Sequence, residues 1–436
     1  MADPAPLFAI PAAPVPSAAQ AEWVVGHGGV RLRTALFQPD AAPRGAIIFS
    51  PGRTEPIEKY FETIAEMTAR GFVVLVHDWR GQGLSDRLLA DPMRGHAVGG
   101  FAPFLADFDA VIAAFAERLP RPWIAIGHSM GGCLTLLAAA RGAAFDEIVL
   151  SAPMLGIELG NTPAPAAHLA AKAMILIGRG GDYVQPHVDI DPFYQRFAGN
   201  RLTHDAGRYA RTAALLATAP QLALGAPTWG WLDFGLSATA ALAKPATLAG
   251  IKTPVTILTA ELESIVDNAA SVAAARALPQ ARLVEVPGAF HEILMETDDM
   301  RSFFQKVLDA LTGKVAEPAV KPAAEPLPSS SPEPEPVIVQ PAPDLESAAA
   351  PIIADVDLAP EPAKAPAPPK AAPKKAAAAK KPATVKAPAV KKPAPTKAAA
   401  AKPAAKAKAL AKAAAKPAAA KAKAPAKPKA TAKPKA

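Results

Sequence analysis

One serine in the sequence has the neighbours that a nucleophile needs. Ser129 lies in Gly127-His-Ser-Met-Gly131, the pattern G-x-S-x-G, between an apolar run that ends at Ile126 and a run of helix-forming residues over 133–140. Glycine on both sides of the serine allows a turn so sharp that strand and helix nearly touch, which lifts the hydroxyl group clear of the backbone. The chemistry that such a serine performs is nucleophilic attack on a carbonyl carbon.

A serine hydroxyl is a weak nucleophile at neutral pH, so the sequence must also supply a base and an acid that orients it. In proteins with this kind of turn, the acid follows the serine in the sequence and the histidine follows the acid. Of eight histidines, His291 alone follows the last predicted strand, and we predict that it is the base. Glu263 and Asp267 both follow the strand predicted at 254–259. Glu263 is the first choice for the acid, and Asp267, which begins the next predicted helix, is the alternative.

The oxygen atom that gains negative charge during such an attack needs hydrogen-bond donors. The backbone N–H of Met130 lies at the start of the helix after Ser129, where the positive end of the helix dipole supports it. A second donor is expected from the loop 51–55, and we predict the N–H of Arg53, because Gly52 permits a close approach of the backbone. These residues predict acyl transfer from Ser129 to water. No spacing of histidines suggests a metal site, and we predict neither a metal nor a cofactor.

The pattern of apolar runs predicts the elements that position these residues. Short apolar runs alternate with segments of helical periodicity, which is typical of an α/β protein with a mostly parallel sheet, helices on both faces and an antiparallel hairpin at one edge. The eight predicted strands are 22–26, 31–37, 45–50, 72–76, 123–126, 147–151, 254–259 and 282–286. The interruption at about 155–249 has helical patches and bulky apolar residues but no clear strand, and it predicts a helical lid over the serine.

Three motifs resemble the α/β-hydrolase family, and within it the serine hydrolases that include monoglyceride lipases and bacterial lysophospholipases. They are the serine motif 127–131, His77-Asp-Trp-Arg-Gly-Gln-Gly-Leu-Ser-Asp86 and Gly288-Ala-Phe-His-Glu292. Segments of the predicted lid, 200–205 among them, are more similar to the bacterial lysophospholipases. The resemblance covers about residues 20–313. It implies an α/β-hydrolase fold with an eight-stranded sheet, and hydrolysis of a fatty acyl ester of a single-chain lipid, either a lysophospholipid or a monoacylglycerol.

Two positions differ from the usual pattern of this family. Pro51 precedes Gly52 where the family usually has histidine, a feature that resembles the lysophospholipase branch. Because the donor in this loop is a backbone N–H, the change is compatible with catalysis. Glu263 stands where the family usually has an aspartate as the acid. Glutamate is a tolerated variant of this acid, and the difference keeps Asp267 as an alternative.

The ends of the chain differ in composition from its middle. Of the 47 basic residues, 21 are lysines within 362–436, a stretch without an acidic residue, and 26 basic residues remain beside 39 acidic residues in 1–361. We predict a disordered leader over 1–20, a hydrolase domain over 21–313, an acidic Pro-rich linker over 314–361 and a disordered basic tail over 362–436.

The lysine-rich tail could bind an anionic membrane surface or nucleic acid by charge alone, with strong dependence on salt. An alternative function is therefore polyanion binding, with a secondary or inactive hydrolase domain. A tail that only increases solubility is equally compatible with this composition. The one cysteine, Cys133, fits a reducing compartment and a buried packing position. No apolar run of about 18 residues and no secretory signal occur, so we expect a cytoplasmic protein with at most peripheral contact at the inner face of the membrane.

Overall fold

The computed structural model describes residues 3–95, 99–184 and 196–314. Within them an eight-stranded sheet has the order β1-β2-β4-β3-β5-β6-β7-β8. The strands are β1 (Ala19–Val25), β2 (Arg31–Phe37), β3 (Gly45–Ser50), β4 (Phe72–His77), β5 (Trp123–His128), β6 (Glu147–Ser151), β7 (Val255–Ala260) and β8 (Ala281–Val286). Neighbours from β4 to β8 are parallel, whereas β2 is antiparallel to both β1 and β4. The predicted sheet with its hairpin at one edge is confirmed.

Helices cover both faces of this sheet. They are α1 (Phe61–Ala69), α2 (Ala102–Phe115), α3 (Ser129–Ala140), α4 (Ala164–Leu176), α5 (Ala206–Thr218), α6 (Trp229–Leu242), α7 (Pro245–Ala249), α8 (Asn268–Ala277) and α9 (Asp298–Lys314). Because successive side chains of a strand point to opposite faces, Ile47 joins a core with Phe61 and Phe304, whereas Ile48 joins a second core with Phe108. Cys133 is fully buried in this second core, as predicted, and burial raises the pKa of its thiol to about 12.

The prediction of a disordered leader over 1–20 is wrong for residues 3–20. This segment runs beside the sheet, where the N–H of Trp23 donates to the carbonyl oxygen of Asp3 at 2.9 Å, and its last two residues belong to β1. Ile10 is only 7% exposed and packs in the core. Proline favours an extended chain and reduces the conformational entropy that ordering costs, so a buried apolar side chain can stabilise a segment whose composition resembles disorder.

Helices α4 to α7 make up most of the described part of the interruption at 155–249, so its predicted helical character is confirmed. Part of it is firmly attached to the sheet domain. Phe234 of α6 is fully buried and packs on Phe104, with 4.6 Å between ring centroids. On α5, Arg208 and Arg211 each place a guanidinium nitrogen 2.6 Å from a carboxylate oxygen of Glu62.

Some predicted regions lie outside the described residues. These are the tail over 362–436 and, apart from Lys314, the acidic linker over 314–361. Among the residues that the structure does describe, no helix combines the length and the hydropathy needed to cross a membrane.

Candidate active site

The turn at Ser129 joins β5 directly to α3. Ser129 has a φ of 49°, a left-handed conformation that costs a residue other than glycine about 1–3 kcal/mol. Close packing of the turn explains its glycines. A Cβ at Gly131 would lie 2.0 Å from the carbonyl oxygen of Ser50, and one at Gly127 would lie 2.6 Å from Cα of Gly132. The strand, sharp turn and helix that the sequence pattern predicts are therefore all present.

Three of the predicted site residues come together in one chain of hydrogen bonds. Ser129 Oγ lies 2.9 Å from His291 Nε2, and His291 Nδ1 lies 2.7 Å from Glu263 Oε2. Because an ionised carboxylate can only accept, Nδ1 carries the proton and Nε2 faces the serine hydroxyl as an acceptor. Burial alone would raise the pKa of Glu263, but the hydrogen bond and charge of His291 and the backbone donors outweigh it and hold the pKa below its usual value.

Backbone donors fix the second oxygen of the Glu263 carboxylate. Its Oε1 accepts from the N–H groups of Ser264 and Ile265, each at 2.8 Å. Asp267 serves a different purpose, because it lies at the start of α8 and its Oδ1 accepts from the N–H of Ala269 at 2.8 Å. Glu263 therefore makes the contact with the histidine, and Asp267 caps a helix.

The two predicted oxyanion donors belong to segments that leave neighbouring strands, since β3 and β5 are paired. Met130 lies in the first turn of α3, where backbone N–H groups have no acceptor within the helix. Arg53 lies in the loop after β3. The next residue, Thr54, has a φ of 65°, and its N–H donates to Gln82 Oε1 at 2.9 Å, so a specific contact holds the loop.

Residues 225–231 contact both predicted donor residues. The indole N–H of Trp231 lies 3.4 Å from Met130 Sδ. The guanidinium of Arg53 donates from Nη2 to the carbonyl oxygen of Gly225 at 2.5 Å, and its Cζ lies 5.3 Å from the centroid of the Trp231 ring. The segment between β6 and β7 thus contacts the side chains of both predicted donor residues, and the sequence alone did not reveal these contacts.

A buried ionic cluster beside the site was also missed by the sequence analysis. Lys59 Nζ lies 2.8 Å from Glu55 Oε1 and 2.6 Å from Glu292 Oε1, and Tyr60 donates from its hydroxyl to Glu55 Oε2 at 2.6 Å. Glu55 Oε2 also accepts from the N–H of Gly52. Because Glu292 directly follows His291, the cluster connects the loop after β3 with the loop of the histidine. Burial raises the pKa of Glu292.

His128, next to the serine, is bonded elsewhere. Its Nδ1 lies 3.0 Å from the carbonyl oxygen of Ser151, and its Nε2 lies 3.4 Å from Glu55 Oε1. Burial lowers the pKa of His128 to about 4, so the ring is neutral at pH 7. Its centroid is 5.0 Å from that of the His291 ring, which it supports by contact.

Residues 41–298 match the family model described as serine aminopeptidase, S33. This chain belongs to that family. The matched range contains every predicted site residue, from Arg53 to His291, and spans more than half of the 436-residue chain. The resemblance to the α/β-hydrolases is thereby confirmed, and the protein is a serine hydrolase of this fold.

Relatives of this S33-family hydrolase include a lysophospholipase and a monoacylglycerol lipase. Lysophospholipase L2 of Escherichia coli (strain K12) is 36% identical over 301 residues, which cover 64% of this chain and 82% of the relative. Monoacylglycerol lipase of Mycolicibacterium smegmatis is 31% identical over 144 residues, 33% of this chain and 49% of the relative. A soluble variant of monoglyceride lipase from Saccharomyces cerevisiae, solved with a substrate analogue, has a TM-score of 0.54 at 18% identity and covers 69% of this chain and 97% of its own. This last similarity shows the shared fold alone.

Proposed function

We propose that this hydrolase cleaves the fatty acyl ester of a single-chain lipid, a lysophospholipid or a monoacylglycerol, through an acyl-enzyme intermediate on Ser129. The observation that carries the proposal is the continuous chain from Ser129 Oγ through His291 to Glu263, with contacts of 2.9 and 2.7 Å. The names of relatives supply the substrate class, because the lysophospholipase and the monoacylglycerol lipase are similar to this chain.

Each residue then has a defined part in the reaction. As Ser129 Oγ attacks the ester carbonyl carbon, His291 Nε2 takes the hydroxyl proton, and Glu263 keeps the ring oriented and stabilises the imidazolium. The carbonyl oxygen becomes an oxyanion that accepts from the N–H groups of Met130 and Arg53, where one donor is typically worth about 3 kcal/mol. The imidazolium gives its proton to the departing glycerol oxygen. Water then attacks the acyl-enzyme by the same route and releases the fatty acid.

We propose Glu263 rather than Asp267 as the acid of this reaction. Glu263 is hydrogen-bonded to His291, and its other oxygen is held by backbone donors, so the carboxylate is preorganised. The Asp267 side chain is engaged at the start of α8.

The segment 155–249 is proposed as a lid that also meets the lipid surface. Three large apolar side chains at or just beyond α4 are exposed: Leu169 at 71%, Leu176 at 87% and Ile177 at 65%. Exposed apolar side chains on a helix are typical of segments that contact lipid or another protein. This exposure supports peripheral contact with a membrane, which would bring the site to its substrate.

Hydrolysis by the full chain tests the proposed function. The panel consists of lysophosphatidylcholine, a 1-monoacylglycerol, a short aryl ester and an aminoacyl anilide, the last because the family is described as an aminopeptidase. We expect fatty acid release from a single-chain lipid, abolished in Ser129→Ala and retained in the control Ser302→Ala, which alters a serine on α9. Cleavage of the anilide alone, or lipid hydrolysis that survives Ser129→Ala, would contradict the proposal.

The composition of the tail supports a second proposal, that residues 362–436 hold the protein at an anionic membrane or on nucleic acid. Its 21 lysines without an acidic residue provide the charge. Sedimentation with anionic vesicles and with duplex DNA, at low and high salt, compares the full chain with a deletion of 362–436. Binding that is lost on deletion and on raising the salt supports the tail as the contact. Binding that is unaffected by the deletion refutes it.

A further inference from the structure

Arg53 is placed to act through two different groups. Its backbone N–H belongs to the predicted oxyanion site. Its side chain extends from the same loop to the segment 225–231, where Nη2 donates to the Gly225 carbonyl at 2.5 Å and Cζ lies 5.3 Å from the Trp231 ring centroid. Trp231 in turn contacts Met130, the residue after Ser129. The guanidinium therefore lies beside a tryptophan that contacts the residue next to the nucleophile, and a hydrogen bond and an aromatic ring hold it in position.

Covalent geometry relates this guanidinium to a specific part of a lipid substrate. Six bonds separate the backbone nitrogen of Arg53 from its guanidinium carbon. Six bonds also separate the ester carbonyl carbon of a 1-acyl lysophospholipid from its phosphorus atom. Each path spans roughly 7 Å when extended, from bond lengths near 1.5 Å. When the carbonyl oxygen accepts from the Arg53 N–H and the two chains run side by side, the phosphate reaches the guanidinium.

We propose that the Arg53 guanidinium binds the phosphodiester of a lysophospholipid and makes this substrate preferred over a monoacylglycerol. The inference rests on the proposed ester hydrolysis at Ser129. A guanidinium presents several N–H donors in a plane that matches the oxygens of a phosphate, and such charge-assisted pairs are about twice as strong as neutral hydrogen bonds. A monoacylglycerol has a neutral hydroxyl at the same position, which gains much less from the cation.

Substitution at Arg53 also removes its tether to Gly225, so loss of activity by itself is ambiguous. Arg87 offers a matched control, because its Nη2 donates to the carbonyl oxygens of Gln221 and Ala223 at 2.8 and 3.1 Å. It therefore holds the same stretch of chain. A variant of Arg87 loosens that stretch and leaves the guanidinium of Arg53 in place.

The experiment measures kcat/KM of the full-length protein for lysophosphatidylcholine and for a 1-monoacylglycerol with the same acyl chain, both below their critical micelle concentrations. Wild type, Arg53→Gln, Arg53→Lys and Arg87→Gln are compared. Arg53→Gln lowers both values but lowers the ratio of lysophospholipid to monoacylglycerol by about ten- to hundredfold, as loss of a charged hydrogen bond predicts. Arg53→Lys, which keeps the charge without the planar fork, gives an intermediate ratio. Arg87→Gln leaves the ratio within about twofold of wild type.

A ratio that is equal in wild type and Arg53→Gln overturns the proposal, since the arginine then acts only as a tether, while hydrolysis at Ser129 stands. A wild type that prefers the monoacylglycerol overturns it as well. Failure of the proposed function looks different, because the wild type then releases fatty acid from neither lipid, or Ser129→Ala is as active as the wild type.

Discussion

Replacement of Glu263 by glutamine changes the proton arrangement of the candidate site without changing its shape. In the native protein, Oε1 of Glu263 accepts from the N–H groups of Ser264 and Ile265, each at 2.8 Å. An amide NH₂ group in the position of Oε1 would face these two N–H donors, so the amide oxygen must occupy that position. The amide nitrogen then faces His291 Nδ1 and donates to it. The ring proton is forced onto Nε2, where it points at Ser129 and prevents the nitrogen from accepting the hydroxyl proton.

The expected loss of kcat is large because His291 then has the wrong tautomer and the negative charge beside it is absent. In a trypsin-like protease the equivalent amide substitution lowers kcat by about ten-thousandfold, which corresponds to about 5.5 kcal/mol of transition-state stabilisation. We expect a similar loss for Glu263→Gln. Asp267→Asn is the matched control. Asparagine is an equally good residue at the start of a helix, so this variant should keep kcat within about twofold of the wild type.

Steady-state hydrolysis of a short aryl ester measures both variants, and thermal melting shows whether they are folded. Glu263→Gln that keeps its activity within about tenfold of the wild type would refute the assignment of the acid. A loss of about a hundredfold or more in folded Asp267→Asn would indicate that the other carboxylate acts in the reaction.

Two further substitutions and one deletion concern stability. Lys59→Met leaves the buried Glu55 and Glu292 without their shared cation and should lower the free energy of unfolding by about 3–5 kcal/mol in urea titrations. Burial lowers the pKa of His77 from 6.5 to about 3. At a pH between these two values, His77 therefore binds a proton in the unfolded chain but not in the folded chain. The stability from this exclusion is fully present above pH 6.5 and decreases by about 1.4 kcal/mol per pH unit as the pH falls, and His77→Phe should remove that slope. Deletion of residues 1–18 removes buried Ile10 and should cost at least about 2 kcal/mol.

Each of these predictions has a result that contradicts it. A Lys59→Met protein within about 1 kcal/mol of the wild type would mean that the cluster contributes little. Equal pH slopes for wild type and His77→Phe between pH 7 and 5 would exclude the buried imidazole as a source of acid sensitivity. An unchanged melting temperature after deletion of 1–18 would show that the segment adds nothing to the fold.

Most of the features that the sequence predicted correctly depend on short stretches of chain. The turn at Ser129 follows from local sterics, because Gly127 and Gly131 leave no room for a Cβ. The sheet follows from short apolar runs separated by helical periodicity, and strand β3 has the predicted bounds Gly45–Ser50. The position of His291 could be predicted because one histidine alone follows the last strand.

The features that could not be predicted depend on distant contacts. Lys59 and Glu55 are four residues apart and could have suggested an ion pair, but Glu292, the other partner of Lys59, is 233 positions away. The same holds for Arg53 and Gly225, which are 172 positions apart. Sequence spacing left two candidates for the acid because it does not show which backbone N–H groups face each carboxylate.

The N-terminal segment shows why composition can mislead. Prolines within residues 1–20 resemble a disordered leader, yet Ile10 packs in the core and Phe8 donates from its N–H to Glu58 Oε1 at 3.1 Å. Proline-rich chain is compatible with either state. The decision rests on whether the folded domain offers an apolar surface and unpaired acceptors to the segment, which is a property of the tertiary structure.

Detection of an acyl-enzyme on Ser129 tests the central claim most directly. Full-length protein is mixed with an aryl ester or lysophosphatidylcholine, quenched in acid within milliseconds, digested and analysed by mass spectrometry. We predict that the peptide containing Ser129 gains the mass of one acyl group, in a burst that precedes steady-state turnover, and that Ser129→Ala gains none. Turnover with no acylated peptide, or with the acyl group on another residue, would contradict the account.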